Sequence, residues 1–423
     1  MTNPTKKTSF FRKILLLIVG FGPGIFAIGY TIGTGSVTSM IVAGSTYGMQ
    51  LLWVLLLSCI FSGLLMYAYG KFALVSGESA LYSFRKHLKG GKIIAILILI
   101  GISFGQWNSL IGIMGISSNL IFEIIAIYFP AIEAFEYEAV LIIAIIVIGV
   151  MYKLLLMGTY NFFEKVLILF VSIMAGSFLF SLFFVHPLPA EVIHGLVPKI
   201  PEVEGGQMLV AAFVGTTMAA ATFLSRPLFI QGKGWTLKDL KVQRNDAITA
   251  AALVFFISAT IMAVAHGALY HQGKPVTHVL DMAGTLEPVA GKSALTLFFF
   301  GTLSAGLSSI FPCLMIAPLL LADYQSGKLD VKSKQFRVIT AIASLLALMV
   351  PIFGGNPVQM QILTQVFNVF VLPLVIIGII MILRKPEVMK GHTTGIGIYI
   401  GLGFALLFAL VISYNGLMAL INF

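Results

Sequence analysis

The sequence predicts an all-α membrane protein with eleven transmembrane helices, arranged as two five-helix repeats of opposite orientation plus one extra helix. The composition is 59% hydrophobic and only 10% charged, whereas a soluble domain has about 25% charged residues. Apolar segments long enough to cross a bilayer, about 20 residues each, recur from end to end. A Pro-rich segment at 185–205 separates two sets of five such segments. Because five is odd, the second set begins on the opposite side of the membrane from the first. The two sets therefore have opposite orientations, as in an inverted repeat.

Each span is an apolar run that ends at Gly, Pro or charged residues. The short basic start of the chain is not followed by a small-residue cleavage site, so we expect span 1 to be retained. We predict one transmembrane domain, 1–423, with repeat one at 12–185, repeat two at 206–383 and the extra helix last. Spans 1 to 11 are predicted at 14–46, 49–76, 92–126, 138–153, 160–185, 206–231, 246–270, 293–322, 337–353, 358–383 and 396–420, and spans 1 and 6 are interrupted.

The positive charges predict the orientation of the spans. With the N-terminus inside, 23 of the 26 Lys and Arg residues fall in inner segments, and only Lys199, Lys274 and Lys292 fall outside. The positive-inside rule therefore predicts an integral plasma-membrane protein with a cytoplasmic N-terminus and an external C-terminus. The net charge of +10 is then a topology signal, so we expect no nucleic-acid partner.

No motif in the chain indicates enzymatic chemistry. We find no nucleophile–base pair, phosphate-binding loop or metal motif, and we predict no enzyme activity, no catalytic residue, no resident metal and no cofactor. Cys59 and Cys313 lie in apolar segments without CxxC spacing, which favours buried structural cysteines. The lipid bilayer is the expected environment, and we expect a monomer.

The stretch "GYTIGTGSVTS" at 29–39 interrupts span 1 with glycines and hydroxyl residues. It could be a helix-packing seam, because Gly29 and Gly33 form a GxxxG pattern. It could also be a break that holds a substrate, since inverted-repeat transporters bind substrates where the first helix of each repeat is discontinuous. Its position in the first span favours the break, near 33–36.

Span 6 should contain the matching break, near 216–222, facing the break in span 1. Gly215, Thr216 and Thr217 precede a run of alanines. Alanine favours helix, so the local signal is weaker here than in span 1.

Several stretches resemble the NRAMP family of proton-coupled divalent-metal transporters. They are "GPGIFAIGY" (22–30), "VAGSTYGMQLLWVLLLS" (42–58), "FEKVLILFVSIMAGSFLFSLFF" (163–184), "VLDMAGTLEPVAGKSALTLFFFGTLSAGLSS" (279–309) and "ILTQVFNVFVLPLVIIGIIMIL" (362–383). The resemblance covers nearly the whole chain. It implies a LeuT-type fold with alternating access, in agreement with the topology counted above.

The chain departs from the family at the functional motifs, as a divergent branch would. Gly33–Ser36 stands where the family has Asp-Pro-Gly-Asn, and Ala219–Ala221 where it has Met-Pro-His. Gln106 and Ser109 stand where the family has a third-span Asp and Glu associated with proton movement, and a ninth-span arginine pair is replaced near Ala341 and Ile342. The tenth-span Gln is kept as Gln365.

A site without a carboxylate is a poor ligand set for a bare dication, because a buried cation needs charged or strongly coordinating partners. We therefore expect poor transition-metal transport, weak or no proton coupling, and a neutral or zwitterionic solute. A partly hydrated divalent cation such as Mg²⁺ or Mn²⁺ is the alternative, and a non-transporting membrane sensor is an alternative of another class. The predicted substrate-binding residues are Gly33, Thr34, Gly35, Ser36, Gln106, Thr216, Thr217, Ala219, Ala220, Thr222, Gln365 and Asn368.

Two further residues have open interpretations. Arg226 replaces a family histidine in the second half of span 6; it could attract an anionic group, but a position at the lipid headgroups is favoured. His266, late in span 7, could titrate near neutral pH, but a hydrogen-bonded structural role is favoured.

Overall fold

The computed structural model of the protein describes residues 23–157, 160–183, 185, 189–199, 205–273, 276, 281, 287–328 and 332–421. Residues 12–22 of the predicted first repeat lie outside the described residues. Spans 1 to 11 are Pro23–Thr31 with Thr34–Tyr47, Leu52–Ser76, Gly91–Tyr128, Glu136–Met157, Tyr160–Leu182, Gly206–Thr217 with Ala220–Gly232, Leu240–Leu269, Glu287–Ser326, Lys334–Leu346 with Met349–Phe353, Pro357–Leu383, and Ile396–Ile421.

The predicted number of spans is confirmed. Among the described residues, ten helices are long and apolar enough to cross a membrane, and the two halves of span 1, bent by 49° at the break, make an eleventh span when they are counted together. Every span end that lies among the described residues falls within six residues of its predicted position. The orientation of the termini and the repeat boundaries stay predictions.

Spans 1 and 6 are both broken, but each break is shorter than predicted. Span 1 is irregular at Ile32 and Gly33, and span 6 at Met218 and Ala219. Residues 34–36, 216, 217 and 220–222, which we expected to be irregular, are helical. Thr216 and Thr217 end the first half-helix of span 6, and residues 34–36 and 220–222 form the first turns of the second half-helices. They do so because helical hydrogen bonding resumes at once: Val37 N donates to Gly33 O at 2.9 Å.

Span 6 lies at the centre of the bundle and spans 4 and 11 lie at its edge. In the most apolar window of each span, 94% of the residues are buried in span 6, against 28% in span 4 and 22% in span 11. The span with the weaker break signal is therefore almost completely surrounded by protein. Irregular backbone at this depth is tolerated only where protein or a cavity surrounds it.

The GxxxG pattern of span 1 also serves close packing. A methyl group added at Gly29 would lie 3.1 Å from Leu167 Cδ2 of span 5. The carbonyl of Gly29 accepts a hydrogen bond from Ser309 Oγ of span 8 at 3.1 Å. The packing seam and the helix break are thus adjacent features of one segment rather than exclusive alternatives.

Candidate substrate site

A small polar cavity lies between the two breaks. The space in it that can hold the centre of a water molecule is about 20 Å³, which is close to the minimum that one water requires. Spans 1, 3, 6, 8 and 10 contribute to its wall. The lining residues are Tyr30, Gly33, Thr34, Gly35, Gln106, Ser109, Ile113, Thr216, Ala219, Ser309, Cys313, Gln365 and Asn368.

Eight of the twelve predicted substrate-binding residues line this cavity, and four do not. The eight are Gly33, Thr34, Gly35, Gln106, Thr216, Ala219, Gln365 and Asn368. The other four are Ser36, Thr217, Ala220 and Thr222, which are buried beside the breaks. They belong to the half-helix turns that flank the breaks and are not among the lining residues.

Span 8 contributes two lining residues that sequence reasoning did not select. Ser309 and Cys313 lie four positions apart, one helical turn, so they share a helix face. Cys313, expected to be a structural cysteine, is buried as predicted, but its Sγ donates to Gln106 Oε1 at 3.4 Å in the cavity wall. The spacing of small polar residues "SAGLSSIFPC" along span 8 is the signal that could have identified this face.

The carbonyl groups at the two breaks already have hydrogen-bond partners. Thr216 Oγ1 of span 6 donates to Thr31 O of span 1 at 3.1 Å, so the two breaks are joined directly. Ser62 Oγ of span 2 donates to Thr217 O at 2.9 Å. These carbonyls end the first half-helices, where the helix dipole is negative. Hydroxyl donors thus use part of the acceptor capacity that a bound cation would need.

The backbone amides at the start of the second half-helices, unlike the carbonyl groups, have no hydrogen bond to a capping side chain. The residues at the N-cap positions, Gly33 and Ala219, provide no side-chain cap. Both line the cavity. The hydroxyl of Thr34 is buried there and, within the described part of the chain, has no hydrogen-bond partner. Uncapped helix N-termini carry partial positive charge and attract negatively charged groups.

The side chains of span 10 form the opposite wall. Asn368 Nδ2 donates to Gln365 Oε1 at 3.1 Å, and Gln361, behind the cavity, donates from Nε2 to Ser109 O at 2.6 Å. A methyl group on Gly35 would collide with the Gln365 amide. Only glycine therefore lets the span 1 backbone approach the amide side chains of span 10 this closely.

The described lining residues include no Asp, Glu or His. Arg226 does not reach the cavity wall either. It is 1% exposed, and its Nη2 donates to Asp246 Oδ2 of span 7 at 2.7 Å. The expectation that Arg226 lies among lipid headgroups is wrong, because a buried carboxylate partner compensates its charge inside the bundle.

His266 and Asp323 have partners away from the cavity. His266 Nε2 lies 2.7 Å from Glu191 Oε2 of the loop between spans 5 and 6, in agreement with the favoured hydrogen-bonded role. Asp323, at the end of span 8, accepts from Ser79 Oγ at 2.5 Å and from the backbone amide of Leu81 at 3.1 Å. Asp323 thus satisfies the amides at the start of the short helix Ala80–His87.

Two broken helices that meet at a buried polar cavity, inside a bundle of eleven spans, define a membrane transporter of LeuT-type fold. The chain belongs to the Natural resistance-associated macrophage protein-like family, whose profile it matches over residues 24–419. It is 25% identical to the divalent metal cation transporter MntH of Klebsiella pneumoniae over 96% of this chain and 94% of that protein. It is 26% identical to the natural resistance-associated macrophage protein 2 homolog of Dictyostelium discoideum over 99% of this chain and 66% of that protein.

Solved structures confirm the fold. A single-substitution variant of the Eremococcus coleocola manganese transporter superposes with a TM-score of 0.76 at 15% identity, over 99% of this chain and 89% of that one. MhsT in complex with L-phenylalanine gives a TM-score of 0.64 at 15% identity, over 94% of this chain and 97% of that one. The predicted family and fold class are both confirmed.

Proposed function

We propose that this protein is a secondary transporter whose central site binds a small solute bearing a carboxylate or similar oxygen group, either zwitterionic or neutral overall. The observation that carries the proposal is the contrast between the two ends of each break. The carbonyl ends at Thr31 and Thr217 have hydroxyl donors, whereas the amide ends at Gly33 and Ala219 have no side-chain cap. Such a site favours a negatively polarised group at its centre.

The rest of the lining suits a hydrogen-bonded solute. Gln365 and Asn368 offer amide donors and acceptors, and Thr34 and Tyr30 add hydroxyls. Amide and hydroxyl groups recognise neutral polar groups, and they can accept the ammonium of a zwitterion without a carboxylate. The substrate-binding role of the eight lining residues rests on this fit.

A bare divalent cation fits the same lining poorly. Taking an ion from water into a low-dielectric site costs about 20 kcal/mol by the idealised Born estimate, and several kcal/mol after relaxation. Sites for Mg²⁺ and Mn²⁺ offset this cost with carboxylates, and the described lining has none. A cation would therefore have to keep most of its water shell.

The cavity must widen before it can hold an organic solute. Its free space of about 20 Å³ matches one water rather than a molecule of several heavy atoms. In alternating access, the substrate site opens by movement of one part of the bundle against another. The compact cavity thus corresponds to a closed state, in which Gln365 lies against Gly35.

A divalent cation is the second candidate, and two observations favour it. The two relatives compared above include a protein named a divalent metal cation transporter. The Cys313 thiol lies in the cavity wall, and soft sulfur ligands suit transition metals. Under this alternative Cys313, Gln365 and the break carbonyls would bind a partly hydrated ion.

The experiment that decides is a thermal-shift screen of the purified protein against small carboxylate-bearing solutes and against Mn²⁺, Mg²⁺ and Zn²⁺, followed by uptake of each hit into proteoliposomes. Ligands that bind the folded state raise its apparent stability by mass action. The proposal expects an organic hit whose shift and uptake are lost in Asn368→Ala but kept in Asn119→Ala, an amide of span 3 that does not line the cavity. Saturable Mn²⁺ uptake that needs Cys313 would overturn it in favour of the second candidate. Binding without uptake would instead indicate a sensor.

A further inference from the structure

A cluster of three potential metal ligands lies outside the cavity lining, where spans 5, 6 and 7 meet the surface predicted to be external. The cluster consists of Glu191, His266 and His271. One ligand atom from each lies within 4.8 Å of the others. Glu191 belongs to the short loop helix Pro189–His194, His266 to the last turn of span 7, and His271 to the 3-10 turn that follows it.

The geometry places both imidazoles on one carboxylate. His266 Nε2 lies 2.7 Å from Glu191 Oε2, and His271 Nε2 lies 3.7 Å from Glu191 Oε1. The two imidazole ring centroids are 5.0 Å apart. Nitrogen and oxygen ligands of tetrahedral zinc, at about 2.0–2.2 Å from the metal, are about 3.4 Å from one another. Shifts of about 1 Å in side chains therefore convert the cluster into a three-ligand site.

We propose that Glu191, His266 and His271 form a binding site for a first-row transition dication, with Zn²⁺ preferred over Mn²⁺. Two histidines and one carboxylate are the ligand set of many zinc and iron sites. The single carboxylate reduces the charge of the ion, and imidazole nitrogen suits Zn²⁺ better than Mg²⁺ or Ca²⁺. Three protein ligands leave one position open for water.

The cluster is both held in place and accessible. The His266 side chain is 2% exposed, that of Glu191 30% and that of His271 56%. An ion can therefore enter on the His271 side and meet a fixed histidine on the other. The loop that carries Glu191 is anchored by the backbone of span 2, since Trp53 N donates to Gly195 O at 2.9 Å.

A bound ion would also join the loop to span 1. Gly48 directly follows the second half of span 1. A methyl group added at Gly48 would lie 3.0 Å from His266 Nδ1, so the His266 ring packs closely against this helix end. Metal ligation would fix the His266 ring against this helix end and hold the loop helix against span 7. We expect the ion to stabilise this surface of the bundle whether or not the central cavity transports metal.

The test is a Zn²⁺ titration of the purified full-length protein without a histidine tag, with Co²⁺ as a spectroscopic probe. One Zn²⁺ should bind, and His271→Ala and Glu191→Gln should each weaken its binding more than about 100-fold, beyond the loss seen for outer-shell partners. The control His392→Ala removes an exposed histidine elsewhere and should leave the affinity unchanged. Bound Co²⁺ should show the absorption of a four-coordinate site in the wild type and lose it in His271→Ala.

Two outcomes would overturn the proposal: no saturable Zn²⁺ binding, or binding that survives both substitutions. The variant Gln365→Ala is titrated in parallel, because it alters the central cavity and not this cluster. Zn²⁺ binding lost in Gln365→Ala but kept in His271→Ala would assign the ion to the cavity and reject the external site. Solute uptake tests the proposed function of the cavity, and Zn²⁺ titration tests the external site. Either proposal can therefore fail while the other stands.

Discussion

Asp246 joins two parts of the chain that lie 222 positions apart. Its carboxylate accepts the backbone amide of Gly24 at 3.0 Å, and it accepts Arg226 Nη2 at 2.7 Å. Both charged side chains are almost fully buried, at 3% and 1% exposure. The start of span 1 is thereby fastened to spans 6 and 7 through a single acidic side chain.

Asp246→Asn should strongly destabilise the protein. The substitution leaves the Arg226 charge buried without its counter-charge, and breaking a buried pair in this way costs about 3–5 kcal/mol. Thermal unfolding of the detergent-solubilised protein measures the loss. The double variant Arg226→Met with Asp246→Leu should recover most of it, because apolar replacements remove both buried charges.

The control for this prediction is Glu387→Gln, which breaks an exposed ion pair with Lys385. Exposed pairs contribute about 0–1 kcal/mol, so the control should unfold close to the wild type. An Asp246→Asn protein as stable as the control would show that the Arg226 charge is compensated by another group.

Gly35→Ala should abolish solute binding while the protein still folds. The added methyl group would meet the Gln365 amide and would lie 2.9 Å from Gln361 Oε1, so the side chains of span 10 must shift and alter the cavity. The same substitution at Gly403 in span 11, where a methyl group meets no atom within 4 Å, is the matched control. Ligand-induced thermal shifts compare the two variants, and a normal shift in Gly35→Ala would contradict the role of this contact.

Gln365→Glu should change the binding preference of the cavity from carboxylate-bearing solutes to divalent cations. The substitution adds the carboxylate that the described lining lacks, and carboxylate oxygens suit Mn²⁺ and Mg²⁺. We expect Mn²⁺ affinity to rise at least about tenfold, a gain of about 1.4 kcal/mol, and binding of a carboxylate-bearing solute to fall. Isothermal titration measures both. Gln359→Glu, an exposed position of the same helix, should change neither.

Transport should depend little on an imposed proton gradient. Coupling requires titratable groups whose protonation is linked to substrate movement, and Gln106 and Ser109 of the lining do not titrate. A pH-sensitive dye inside proteoliposomes should stay constant during solute uptake. A dye signal that follows uptake and persists in His266→Gln would reveal a proton path through other residues.

Glu78 should make the loop between spans 2 and 3 sensitive to acid. Burial raises the pKa of Glu78, but hydrogen bonds from Ser83, Lys86 and His87 outweigh burial and hold the pKa below its ordinary value of 4.5. A lowered folded-state pKa contributes stability above pH 4.5, and this contribution is lost as the pH falls through the folded-state pKa. Thermal stability measured from about pH 6 to pH 3 should therefore fall less in Glu78→Gln than in the wild type or in Glu387→Gln.

Sequence patterns predicted the spans well because hydropathy is a property of whole segments. They predicted the break in span 1 because glycines weaken helix. The break at Met218 and Ala219 could be placed only approximately, because its residues favour helix and tertiary contacts such as the Ser62 bond to Thr217 O override that preference. Cys313 was missed because a lone cysteine in an apolar run gives no sign of which helix face meets the cavity. The Arg226–Asp246 pair was missed because its members lie in different spans.

The described part of the first half of span 1 can act as a lever about the break that follows it. A helix of nine residues, Pro23–Thr31, is about 14 Å long. A swing of about 20° at the Ile32–Gly33 break would displace Gly24 by about 4 Å, farther than any hydrogen bond can stretch. Movement of this segment relative to span 7 therefore requires the hydrogen bond between the Gly24 amide and the Asp246 carboxylate to break. The strength of one buried carboxylate–amide contact would then set how often this segment moves, and a displacement of a few tenths of a nanometre at that contact would accompany each change of angle at the Ile32–Gly33 break.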